Sequence, residues 1–252
     1  MEIIQSREQL LAHIARKNGT ITEARLEGFD APELSRELLR LSNVEIADVS
    51  LARAQLADSQ WHDVVLERVD LSGANLENAV LKGVRGREVR LDGAGLAGAS
   101  WDRGQLATSS LHGATLAGAM VGNVVFVACD LSELIARDLS LTQSHLDDCK
   151  LFGASLPGAM LENVAVAGGG SAPIDARGID LSNAQARGLK LDQAQLVGAN
   201  LEGADLTSAN LALVDLTESR LRNCKLEGAI LVQALLDRCD LRGASLVRAN
   251  LA

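Results

Sequence analysis

The stretch Ala199-Asn200-Leu201-Glu202-Gly203-Ala204-Asp205-Leu206-Thr207-Ser208-Ala209-Asn210-Leu211 decides the fold. Three times in succession it sets a small apolar residue, an Asn or Asp, and a Leu, and then leaves two positions open. Stepping by five from here reaches Leu41 in one direction and Leu251 in the other without losing register. Of the 43 positions visited, 32 are Leu, and only Gly86 and Ser171 fall outside the apolar set. The position two residues before each centre is small, as at Ala74, Ala94, Ala199 and Ala244, and none from Val44 to Ala249 carries a charge.

Neither regular element accommodates this pattern. On an α-helix turning by about 100° per residue, offsets of 0, 2, 5 and 7 fall at about 0°, 200°, 140° and 340°, which is not one face. On a straight strand a step of five reverses the side chain's direction, so successive repeats point to opposite sides. Alternating steps of two and three describe a short extended segment and a corner that absorbs one residue, repeated in the same sense. The chain therefore coils around its own apolar residues, as repeat architectures do.

The pattern resembles the pentapeptide repeat family, whose consensus Ala-(Asp/Asn)-Leu-x-x appears as Ala74-Asn75-Leu76, Ala199-Asn200-Leu201, Ala204-Asp205-Leu206 and Ala209-Asn210-Leu211. The resemblance implies an all-β solenoid, a right-handed quadrilateral β-helix with four repeats per coil. With coils about 4.8 Å apart, residues from 41 onward make a rod roughly 50 Å long.

Before the coils, Ser6 and Gln9 fit a capping box, Leu10, Leu11 and Ile14 share a helical face, and Gly19 suits a stop. The expectation is a helical cap over residues 1–19 and a repeat domain over 20–252, regular from about residue 41. Pro32 is expected to open a helical turn or a deviating coil through Leu39. At the other end the pattern runs in phase to Leu251-Ala252, so either another subunit docks there or the chain is a piece of a longer one. The main interior break is Gly168-Gly169-Gly170-Ser171-Ala172-Pro173, where a bulge or loop is expected. If five or ten residues are extruded there, the period survives but every later repeat moves round to another side.

Aromatic residues make up 2% of the chain against 47% hydrophobic, so the core is built from Leu, Ala and Val. The formal net charge of −9 disfavours direct binding to nucleic acid or an anionic membrane, both of which need clustered Lys and Arg. No stretch has the apolar length of a membrane span or the form of a leader, which makes a cytoplasmic protein the default. All four cysteines, Cys129, Cys149, Cys224 and Cys239, fall on the small inward position and read as buried thiols in the place of Ala. The coiled arrangement puts His62, His112 and His145 on three different sides, away from His13, so they form no catalytic or metal cluster. Gly93-Ala94-Gly95-Leu96-Ala97-Gly98 matches a dinucleotide-binding fingerprint in letters only, since it is two ordinary repeats without the strand and helix that motif requires. The reading is non-enzymatic, with no cofactor and no metal.

That leaves surfaces for partners. Counted by side from residue 41 within two residues of each centre, Arg and Lys stand against Asp and Glu as 6 to 6, 6 to 8, 4 to 5 and 3 to 7. The family resemblance implies one use of an acidic side: some similar proteins imitate duplex DNA toward DNA gyrase and other type II topoisomerases. Here Asp58, Glu77, Asp138, Asp175, Asp215, Glu218 and Asp237 would play the phosphates, interrupted by Arg137, Arg177 and Arg238. Lys82, Arg85, Arg87 and Arg90 form a basic stretch nearby. Similar proteins also serve as adaptors in bacterial secretion, a role that no residue here selects. A different surface is apolar: on the third side the repeats around Leu211, Leu231 and Leu251 lack charge, with Leu213, Ile230 and Val232 outward and Leu235 round the corner. Clustered outward apolar residues suggest an interface, a homodimer contact or a docking surface for a protein partner.

Overall fold

A computed structural model describes residues 1–161, 164–167 and 173–252. The chain winds as a right-handed, four-sided β-helix in which every bridge between coils is parallel. The first face is a seven-stranded sheet running from Thr20–Thr22 to Ser140–Thr142. The second is a nine-stranded sheet running from Glu2–Ile4 to Ala165–Ala167. The third and fourth faces are ladders of single-residue bridges, such as Asp30↔Ser50↔Asp70 and Gln55↔Asn75↔Gly95. The Leu centres and their small partners turn inward and form one continuous core, in which Leu41, Leu56, Leu76, Leu96 and Leu106 are fully buried.

Local chemistry explains the repeat. Two residues after each centre the backbone takes the left-handed conformation, at Asp58 (φ 56°), Asp138 (φ 56°) and Gly203 (φ 69°) alike, which turns the corner. On the third and fourth faces the N–H of the residue just after each centre makes no backbone ladder bond, although its carbonyl does, and an Asp or Asn two residues earlier, where one is present, caps that N–H. Asn75 Oδ1 accepts from Glu77 at 3.0 Å, Asp180 Oδ1 from Ser182 at 2.9 Å and Asp215 Oδ1 from Thr217 at 3.0 Å. This is why Asn or Asp recurs before Leu. It also overturns the expectation at Pro32. Residues 30–39 form an ordinary coil with bridges Asp30↔Ser50 and Ser35↔Gln55, because Pro32, like Pro157, occupies the position whose N–H the ladder does not need.

At the N-terminus, helix Arg7–Arg16 is capped by Ser6 Oγ, which accepts from Gln9 N–H at 3.2 Å, while Gln9 Oε1 accepts from Gln5 N–H at 2.8 Å. It ends through Asn18 (φ 49°) and Gly19 (φ 78°), where Gly19 N–H reaches Ile14 O at 2.8 Å. Leu10 and Ile14 bury against the core. Unanticipated is the strand Glu2–Ile4, which pairs with Ala24–Leu26 and begins the second face before the helix.

Regular coils take 20 residues, but one does not. Asp130 bridges Lys150, whereas Leu151 N–H donates to Asp175 O and Ser155 bridges Asp180, so this coil spans 25 residues. The additional five lie between Ala165 and Asp175, and the break at residues 168–172 falls outside the described residues. Ladders resume with the new offset, as in Ala165↔Lys190↔Asn210↔Ile230. Every later repeat has moved round by one face.

Candidate interaction surfaces

The shift re-sorts the surface. Leu213, Ile230 and Val232 lie on the second face, in the continuation of the nine-stranded sheet, and not on the third. The cluster itself survives, because all its members follow the shift. Leu213 N–H donates to Val232 O at 2.8 Å, and Leu235 N–H donates to Val214 O at 2.9 Å from the third face just round the corner. Leu213, Ile230 and Leu235 are 52%, 42% and 53% exposed, and Val232 is half-buried between them. Leu251 stacks over Leu231 at the end of the same column and is exposed. Leu213 also occupies a corner position with φ 59°, a conformation that costs a branched residue about 1 kcal/mol.

The acidic candidates separate. Asp58, Glu77 and Asp138 remain on the fourth face, whereas Asp175, Asp215, Glu218 and Asp237 move to the third, where they join Asp70, Asp92, Asp130 and Glu133. From residue 41 onward the third face then carries eight carboxylates against five Arg or Lys, and the fourth only six against four. Much of this charge is committed locally. Asp175 chelates Arg177 at 2.7 and 2.8 Å, which holds its carboxyl below the usual range. Lys150 reaches Asp130 at 3.6 Å, and Arg238 reaches Glu218 at 3.0 Å. Asp175 and Asp215 are turn caps as well, so the fold alone accounts for their presence.

One carboxylate that the sequence did not single out is Asp205 on the first face, with 1% of its side chain exposed. Arg187 Nη2 lies 2.8 Å away, Lys225 Nζ from the next coil 3.6 Å, and Thr207 Oγ1 donates at 2.6 Å. Burial pushes its carboxyl up, but the Thr207 and Arg187 hydrogen bonds outweigh it and hold it at about 2. The stacking of 185, 205 and 225 that builds this cradle keeps the ordinary 20-residue spacing, because all its members follow the break; the longer coil changes only the face on which they stand.

All four cysteines are free, with Cys129, Cys149 and Cys224 buried and Cys239 half-buried. Burial, the largest cause, pushes the Cys224 thiol up to about 12, so it is a packing group rather than a nucleophile. His62, His112 and His145 stand on the first, third and second faces, and among the described residues no group of His, Cys, Asp or Glu is arranged to hold a metal. No helix among the described residues is long and apolar enough to cross a membrane.

The four-faced coil, its capped Asp and Asn positions and its left-handed corners coincide with a match to the family described as pentapeptide repeats, in eight copies over residues 45–85, 179–218 and 219–252. The chain belongs to the pentapeptide repeat family. Solved pentapeptide repeat proteins similar to it include HetL from the cyanobacterium Nostoc sp. strain PCC 7120, involved in heterocyst differentiation regulation. HetL is 24% identical, with 96% of this chain and 97% of HetL covered and a TM-score of 0.41. QnrB1, a plasmid-mediated fluoroquinolone resistance protein, is 15% identical over 93% of this chain and 94% of its own, with a TM-score of 0.36. A pentapeptide repeat protein of the Arabidopsis thaliana thylakoid lumen is 23% identical over 44% of this chain and 70% of its own, with a TM-score of 0.31. No curated protein sequence matches the chain.

Proposed function

We propose that this chain is a non-enzymatic interaction rod that pairs with a second copy of itself through the second-face patch of its last coils. The observation that carries the reading is the exposed side chain of Leu213, which stands at a left-handed corner where the fold needs only the backbone turn and Gly would cost less. Around it the outward residues Asn210, Ala212, Ile230, Val232, Gln233 and Asn250 carry no charge. Two such patches facing each other across a two-fold axis bring no like charges together, which suits an isologous contact. The test is the solution mass of the wild type and of Ile230→Asp by light scattering. A dimer that becomes a monomer on substitution supports the reading; a monomeric wild type, unchanged by Ile230→Asp, sinks it.

The acidic third face favours a second reading, a DNA-like surface presented to DNA gyrase. Its eight carboxylates support it, and the Arg177, Lys150 and Arg238 partners that neutralise part of them weigh against it. Gyrase supercoiling that is indifferent to micromolar protein would remove it.

A further inference from the structure

On the second face, some seven coils from the apolar patch, strand Arg85–Arg87 presents two guanidinium groups side by side. Gly86 between them faces inward, where an added Cβ would lie 2.5 Å from Leu106 Cδ2, so Arg85 and Arg87 both point out, about 6.6 Å apart along the strand. We propose that this fork docks a carboxylate-rich segment of a partner protein, a contact separate from the self-pairing patch.

The neighbours leave the fork available. Arg85 is flanked in its column by Val65 and Gln105 and makes no ion pair among the described residues. Arg87 lies between Glu67 and Ala107, but Glu67 is already held by Arg68, and Arg68 also binds Asp48 at 2.6 and 2.8 Å. Arg87 keeps only Glu88 at 3.5 Å and is 71% exposed. The two arginines line a depression of about 340 Å³ together with exposed Val65, Gln105 and Ala107, and with Glu67, whose carboxylate is held by Arg68.

This chemistry fits an extended acidic peptide. Alternate residues of an extended segment repeat at the same spacing as Arg85 and Arg87, so two of its carboxylates can meet two guanidinium groups, each as a bidentate pair. The methylene stems of Glu or Asp rest on Val65 and Ala107. A long polyanion such as a nucleic acid is disfavoured, because the same face carries Glu45 and Asp48 on one side of the fork and Asp147 and Asp148 on the other. The fork thus favours a short segment.

The experiment is fluorescence anisotropy of a dye-labelled hexaglutamate peptide titrated with the full chain at low salt. The wild type is expected to bind, and Arg85→Glu with Arg87→Glu to weaken binding by about tenfold or more. Arg220→Glu, an exposed arginine on another face, is expected to change it by less than about twofold. No binding by the wild type, or an equal loss in Arg220→Glu, overturns the proposal. Inorganic phosphate that displaces the peptide at the peptide's own concentration overturns the peptide assignment. Ile230→Asp should leave this titration unchanged, so failure here and failure of self-pairing are told apart.

Discussion

The backbone N–H of Leu151 donates to the carbonyl of Asp175 at 2.9 Å, across 24 residues where Leu131 reaches Lys150 across 19. That bond is the first to show the offset that every later coil keeps. Removing five residues between Ala165 and Asp175, at 168–172, gives this coil the length of the others and is expected to leave Lys150 and Asp175 stacked. The shortened chain is therefore expected to melt in one cooperative transition. In a Cys239→Ser background, Lys150→Cys and Asp175→Cys should be joined by a short bifunctional thiol reagent with or without the deletion. Loss of the cross-link on deletion would show that the five residues set the phase themselves.

The same bond reveals what a five-residue period does not encode. A five-residue period announces which side chains turn inward, and the buried cysteines, the Leu column and the left-handed corners follow it. It is blind to an extrusion of five, because the period after such a slip reads as though nothing had happened. Hence the period alone puts Asp175, Asp215, Glu218 and Asp237 on the face of Asp58 and the Leu213 patch on the third side, whereas the structure moves each group round by one face and keeps the members of the patch together. The strand Glu2–Ile4 was illegible for another reason: three residues carry no periodicity, and its partner Ala24–Leu26 lies beyond an intervening helix. Pro32 misled because a proline signals a break only where the ladder needs its N–H.

Asp205 should make stability depend on acid. Its folded pKa of about 2 lies below the unfolded carboxylate value of 3.8, so its contribution is present above about pH 4 and is lost as pH falls toward 2. The size is about 2 kcal/mol. Asp205→Asn is expected to lower the denaturation free energy by about that amount at pH 7, with the gap to wild type closing toward pH 2. A gap that is constant with pH would mean that Asp205 acts by packing and not by charge.

Trp101 supplies a packing test. It is buried, meets Phe126 edge to face at 5.7 Å, and its indole N–H has no partner, whereas Trp61 donates to Ser59 Oγ at 2.9 Å. The indole fits because the next inward position is Gly104, where a Cβ would stand 2.3 Å from Trp101 Nε1 and 2.7 Å from the Val84 carbonyl. The carbonyl belongs to the ladder and cannot move aside. Gly104→Ala is therefore expected to destabilise by about 2–3 kcal/mol, read by urea denaturation, and to shift the tryptophan emission. Pairing it with Trp101→Leu should recover part of the loss, since the side chain nearest the new methyl is then removed.

Leu213 separates stability from association, which ordinary interface substitutions do not. Its corner position, φ 59°, is one that Gly203 and Gly228 fill in equivalent turns at φ 69° and 65°. Leu213→Gly removes the left-handed penalty and an exposed side chain but sacrifices no core contact. Against this stands the greater freedom of glycine in the unfolded chain, which offsets part of the gain. The monomeric rod is expected to be stabilised, or at least not weakened, by up to about 1 kcal/mol, measured by denaturation at concentrations where no dimer forms. Self-association should weaken by about tenfold or more, measured by sedimentation equilibrium, because a central apolar contact is deleted. A variant that loses stability and keeps its mass would show that Leu213 serves the coil after all, and that the patch around Ile230 and Val232 is not where two copies meet.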